Sequence, residues 1–244
     1  MNHTYPFTVA TFAVLEGLYA DPTKRFYDSH KGHLNLHVQQ PFQGVLHRVA
    51  LALPSQVRSL METEAHLFSR FLKNDYGRGG AWDFYWGAFY TRGGRRTEGA
   101  QLYLCISRNI LKYGFFLGLY ADQHRDRFLS NCRAHGPALL PYLHGALPDA
   151  DVTFGGGNTG ANTAVAGVIG SVHRTWESYL GDPGKGEYEI CIQAPKQQVL
   201  STDENALVAR ITKAHKKLFP LVLLASYDDP VPVIQRYRTS TGLV

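Results

Sequence analysis

Residues 71–106 read FLKNDYGRGGAWDFYWGAFYTRGGRRTEGAQLYLCI and set seven aromatic side chains between Tyr76 and Tyr90 beside Arg78, Arg92, Arg95 and Arg96. Flat π-faces interleaved with guanidinium groups are what a surface needs to stack an unpaired ring and neutralise the phosphates attached to it. From Arg70 to Arg96, six Lys or Arg residues stand against Asp75 and Asp83, a net +4 out of the chain's +5. A buried hairpin with a solvated turn would give the same composition. In an extended chain Trp82, Phe84 and Trp86 share one face and Tyr85 and Phe89 the other. Both faces therefore carry aromatics, and Gly87 between them offers a bulge. On this reading Lys73, Arg78, Arg92, Arg95 and Arg96 contact phosphates or enter a groove. Trp82, Tyr85, Trp86 and Tyr90 are the stacking candidates, less any that point into the core.

Other chemistries find less support. The Gly-rich run at 155–170 has no GK[ST] to hold a triphosphate and its magnesium, and no clear strand and βαβ unit for a dinucleotide fingerprint. It reads as a surface loop, or as one that folds over a ligand. His30, His33 and His37 can share a helical face, but no complete ligand set for zinc accompanies them. There is no GxSxG elbow, and no Asp/Glu-x-Lys pairing of the kind a magnesium nuclease uses accompanies Asp75, Asp83 and Glu98. The expectation is a binding module that is not itself an enzyme, with no cofactor and no metal.

These residues sit in a chain of 244 residues with 44% hydrophobic and 18% charged content, enough for one core with an insertion. A pI near 9.1 permits a polyanionic partner. Cys105 and Cys191 lie in apolar, strand-like runs and no CxxC occurs, which suits reduced core thiols and a cytoplasmic setting. The N-terminus lacks the basic and apolar regions of a signal peptide, and no stretch is long and apolar enough for a membrane span.

Helical spacing of Phe7, Phe12, Leu15 and Leu18 predicts a first helix ending at Asp21-Pro22. A second should run to Pro41, which breaks or kinks it, and a third should end at Leu53-Pro54. DFYWGAFYT, QLYLCIS and GFFLGLYA predict three strands, joined first by a turn at Gly93-Gly94. HRDRFLSNCRAHGPALLPYL predicts a helix stopping near Gly136-Pro137, and EYEICIQ a further strand. Ser201 and Glu204 form a capping box before a last helix that Pro220 ends, with Lys213, Lys216 and Lys217 in its final turns. The sum is an α+β fold in one domain over 1–244, an antiparallel or mixed sheet meander covered by N-terminal and C-terminal helices. Helices and meander occupy 8–145, a Gly-rich insertion 146–187, and a strand with C-terminal helices 188–244.

Two resemblances follow from quoted segments. RFYDSHKGHL, VQQPFQGVLHRVALALP, the Arg/aromatic hairpin, QLYLCIS and GFFLGLYA together resemble domain of unknown function 2461 over about residues 8–135. LFPLVLLASYDDPVPVIQRY resembles the segment that closes the N-terminal domain of McrB-like restriction proteins, before an AAA+ motor. That second resemblance implies the DNA-binding specificity module of a modification-dependent, phage-defence restriction system. Its partners would be DNA, an AAA+ motor and a nuclease subunit, and its target a modified cytosine that base flipping exposes. No Walker motif occurs in these 244 residues, so the motor would lie elsewhere. Two other classes remain open: a small-molecule or nucleotide-processing enzyme whose pocket the 155–170 loop closes, and a protein-docking domain.

Overall fold

Three helical segments open the chain in the computed structural model, which describes residues 4–157, 173–183 and 186–242. Helix α1 (Val9–Ala20) buries Phe12, Leu15 and Leu18, and α2 (Lys24–Leu34) begins at Thr23, whose hydroxyl accepts the Phe26 N–H at 3.1 Å. The chain does not break at Pro41. A five-residue π turn (Asn35–Gln39) leads straight into α3 (Gln40–Ala52), with the Gln40 N–H bonded to the Asn35 carbonyl. The wider turn absorbs a proline that has no N–H to give and whose ring crowds the preceding turn.

After a short α4 (Ser55–Leu60), six strands follow: β1 (Met61–Glu62), β2 (Phe84–Thr91), β3 (Gln101–Ser107), β4 (Ile110–Leu117), β5 (Thr153–Gly157) and β6 (Glu187–Pro195). They form one antiparallel sheet in the order β1-β2-β3-β4-β6-β5. This is the α+β architecture read from the sequence. The strand β5 was not foreseen, because TFGGG sets only Thr153 and Phe154 ahead of three glycines and shows no alternation; its pairing with β6 makes it a strand. It opens the Gly-rich run, most of which (158–172) lies outside the described residues.

Helices cover one face of the sheet. The long α8 (Glu204–Ser226) packs on β3 and β4, flanked by α3 and by α5 (Asp122–Ala146). Short α6 (Trp176–Gly181) packs against α5, α7 (Lys196–Leu200) leads into α8, and α9 (Val231–Thr241) closes the chain. Three expected boundaries move. Helix α5 runs through Pro137 and Pro141 to Ala146, because Leu139 between them and Tyr142 and Leu143 beyond them are buried and packing outweighs the lost hydrogen bonds. Helix α8 is capped by Asp203, whose carboxylate accepts the Ala206 N–H at 3.0 Å, and not by Ser201. It also passes Pro220, so Lys213, Lys216 and Lys217 are mid-helix. Pro220 cannot donate to the Lys216 carbonyl, and the Tyr237 hydroxyl of α9 donates to it instead, at 2.8 Å.

The β2–β4 meander alternates cleanly. Tyr85, Phe89, Leu102, Leu104, Ile106, Leu111, Tyr113 and Phe115 enter the main core under the helices. Phe84, Ala88, Tyr103 and Cys105, with Trp82, Trp86 and Phe116, form a second apolar cluster on the opposite face. Gly87 is no bulge, since its pairing with Leu104 is in register. A Cβ there would stand 2.9 Å from Leu46 and 3.0 Å from Phe68, so the glycine permits close packing on both sides.

Candidate functional site

The helix-free face of the sheet is walled by two irregular stretches. Residues 66–74 run along the outer edge of β2, held by Ser69 N–H to the Trp86 carbonyl (2.8 Å) and Ala88 N–H to the Leu67 carbonyl (2.9 Å). Gly118, Leu119 and Tyr120 follow β4 on the other side. Between them lies a cavity of about 530 Å³, in the range of pockets that hold one small organic group. Trp82, Phe84, Trp86, Tyr103 and Phe116 supply its aromatic surface, and Leu119 and the exposed Tyr120 stand at its margin.

Cations stack on both tryptophans. Lys73 Nζ lies 4.8 Å from the centre of the Trp82 ring, and the Arg96 guanidinium 4.7 Å from that of Trp86. Arg96 also donates to the His66 carbonyl at 3.3 Å, and its burial draws its pKa down. Arg70 lines the cavity and donates to Asn74 at 2.8 Å.

The cavity is also lined by polar groups that alternate out of the strands. On β3, Gln101 is 1% exposed; its amide donates to the Arg96 carbonyl at 2.5 Å, which leaves Oε1 without a protein partner. On β6, Glu189 is 3% exposed; Oε1 accepts the Tyr103 hydroxyl, and Oε2 has no protein partner. Lys112 on β4 and Glu187 on β6 line the same cavity. Burial raises the Glu189 pKa from 4.5 to about 7, with the Tyr103 hydrogen bond and the Lys112 charge pulling the other way. Burial raises Glu187 too, and drives the Cys105 and Cys191 thiols far above their ordinary range, so neither is a nucleophile at neutral pH. From the core side, neutral His215 donates Nε2–H to the Tyr103 carbonyl at 3.1 Å, fixing that strand residue from behind; burial holds His215 near pKa 4.

The residues singled out in the sequence separate into three groups. Trp82, Trp86 and Arg96 come together at the cavity, and Lys73 stacks on Trp82. Arg78 and Arg95 are exposed in turns beyond it, Arg95 pairing with Glu98 at 3.2 Å. Tyr85 and Tyr90 point inward and leave the set of ligand-contacting candidates, while Arg92 is exposed but tied to backbone carbonyls. Tyr85 is 1% exposed in the main core between Phe42 and Phe71, and Tyr90 is 5% exposed with its hydroxyl on the Ala65 carbonyl. The Arg92 guanidinium donates to the carbonyls of Arg58 and Met61, which ties α4 and β1 to β2. His30, His33 and His37 do share a face, their rings 6.5 and 5.8 Å apart in sequence, but among the described residues no group of three or more His, Cys, Asp or Glu could hold a metal.

Sequence reasoning missed Gln101, Tyr103, Lys112, Phe116, Glu187 and Glu189. The signal was present in QLYLCIS and EYEICIQ, where polar residues alternate with apolar ones on strands that pair through β4. Such alternation reads as one wet face; only the tertiary structure turns that face into the lining of a cavity. Among the described residues no helix is long and apolar enough to cross a membrane. Neither a scan against models of protein families nor a search of curated proteins finds a match to this chain.

Proposed function

We propose that the domain reads DNA by accepting one unstacked base into the aromatic cavity, while the cations around it hold the strand. The observation that carries this reading is the juxtaposition of Trp82 and Trp86, each under a cation, with buried polar groups in a space of about 530 Å³. Aromatic faces accept any base, polar groups discriminate among bases, and Arg or Lys at the entrance suits the phosphates of a displaced nucleotide. The resemblance to McrB-like proteins extends the proposal: the domain would serve as the specificity part of a restriction system, with an AAA+ motor and a nuclease subunit as partners. The test is retardation of DNA duplexes at low salt. A shift that weakens steeply with salt supports the reading, and no shift of any duplex, modified or unmodified, removes it.

One observation favours a second reading. Glu189 titrates near neutrality in a cavity that also holds Lys112 and Tyr103, as a general acid or base of an enzyme acting on a small planar molecule would. Turnover of a nucleotide or nucleoside that Glu189→Gln abolishes would favour that enzyme over the DNA reader.

A further inference from the structure

Two buried side chains that line one cavity each keep an acceptor oxygen with no protein partner: Gln101 Oε1 and Glu189 Oε2. Each is held in its role by the other half of its own group. The Gln101 amide nitrogen is spent on the Arg96 carbonyl, so the oxygen is left over; Glu189 Oε1 is spent on the Tyr103 hydroxyl, so Oε2 is left over. A buried acceptor left without a hydrogen bond is costly, so two on side chains lining one cavity are a standing demand for N–H donors. Their placement narrows the demand. Gln101, Phe116 and Glu189 are direct neighbours across β3, β4 and β6. Strands are spaced about 4.8 Å apart, so the two Cα atoms are roughly 10 Å apart, and both side chains can reach one atom placed between them above Phe116.

We infer that the cavity selects a planar heterocycle carrying an exocyclic amino group, and rejects the analogue with an oxo group there. An amino group presents two N–H bonds on a single nitrogen and can satisfy both oxygens. A lactam edge offers one ring N–H and sets its own oxygen against the second acceptor. The inference deepens the base-reading proposal and rests on the same cavity, but concerns the chemistry of the edge rather than the nature of the polymer. The second, basic groove between α3 and α8 offers no comparable pair: Arg48 there is already taken by Glu204 and Asn205, and Lys217 by the Ala146 carbonyl.

The experiment uses nucleoside pairs that differ only by amino against oxo: deoxycytidine with deoxyuridine, and deoxyadenosine with deoxyinosine. Trp82 and Trp86 report occupancy by fluorescence quenching at pH 8, with Trp176, fully buried, as a constant background. The expected result is at least about tenfold tighter binding of the amino member in both pairs, the size of one lost hydrogen bond to a charged group. In Glu189→Gln the Tyr103 hydroxyl keeps an acceptor and the amide N–H₂ turns to the cavity, so the preference should reverse. Equal binding of the members of each pair, or an oxo preference in the unmodified protein, overturns the inference. If free nucleosides bind too weakly to quench, the same four bases are placed as single-base bulges in one duplex, and the same ratios decide. An amino preference among nucleosides without any DNA binding would leave this inference standing and remove the DNA reading.

Discussion

The hydroxyl of Tyr103 on β3 donates to the carboxylate of Glu189 on β6, although β4 lies between the two strands. The β4 residue opposite Tyr103 is Gly114, which has no side chain to bar the way. A Cβ at Gly114 would stand 1.9 Å from the Ile190 carbonyl oxygen, so the backbone itself also requires glycine there. The bond joins the aromatic wall of the cavity to its buried acid and sets which oxygen of Glu189 remains unmade.

Glu189 should give the fold a pH signature. Its pKa is raised by folding, from an ordinary 4.5 to about 7, so its protonated form favours the native state. That contribution is complete below about pH 4.5 and is lost as pH rises to about 7, a relative loss of about 3 kcal/mol across the window. Groups that share its surroundings are Lys112, Glu187, Tyr103 and Cys191. Glu189→Gln should therefore gain several degrees in Tm over the unmodified protein between pH 4.5 and pH 8. Parallel Tm curves for the two proteins would contradict the burial of this charge.

Aromatics from one hairpin should split by the face they occupy. Tyr85→Ala opens the main core and should cost about 3–5 kcal/mol. Trp86→Ala, at a half-buried site under Arg96, should cost only about 1–2 kcal/mol, most of it the cation–π contact and partial burial. Urea unfolding of both variants checks the ordering, and equal losses would mean that Trp86 is core.

The Pro220 device is testable by itself. Tyr237→Phe removes the hydroxyl that donates to the carbonyl the proline orphans, Lys216 O, and should lower stability by about 1 kcal/mol, or roughly 2–4 °C in Tm. Combining it with Pro220→Ala, which restores an N–H, should cost less than the sum of the two changes. Strict additivity would show that the hydroxyl and the missing N–H are unrelated.

Arginines that are tied to backbone carbonyls and those that are not should also part. If about four phosphates are neutralised, log K should fall against log salt with a slope near −3.6. Arg78→Ala with Arg95→Ala should flatten that slope by about two units and leave Tm unchanged, since Arg95 gives up only a surface pair with Glu98. Arg92→Ala should lower Tm through the lost carbonyl contacts and leave the slope nearly intact. A slope change from Arg92→Ala at constant Tm would instead show that residue to contact DNA.

Much of the sheet was legible because strand alternation is local: the inward set of QLYLCIS is visible in seven letters. The helix ends were less so. Pro137 and Pro220 are strong local stop signals, yet buried partners beyond each, such as Leu143 and Leu224, carry the helices on. Half of the cavity was visible as Trp82, Trp86 and Arg96, with Lys73 on Trp82, since all belong to one segment. The other half comes from Gln101, Lys112 and Glu189, which meet only because β4 and β6 pair across the long stretch 118–186. The same local reading placed Tyr85 and Tyr90 among the stacking rings, because a hairpin alone cannot say that the helices will cover the Tyr85 face or that the chain near Ala65 will cover Tyr90.

The central claim is that the cavity receives a base that has left the stack. Its most direct test compares, at one salt concentration, the affinity for a fully paired duplex with that for the same duplex carrying one unpaired base. Unstacking costs a few kcal/mol when the base is paired and less when it is not. The account predicts at least about tenfold tighter binding to the bulged duplex, an advantage that Trp86→Ala abolishes while keeping its salt slope. Equal affinity for the two duplexes, or an advantage that survives Trp86→Ala, would contradict it.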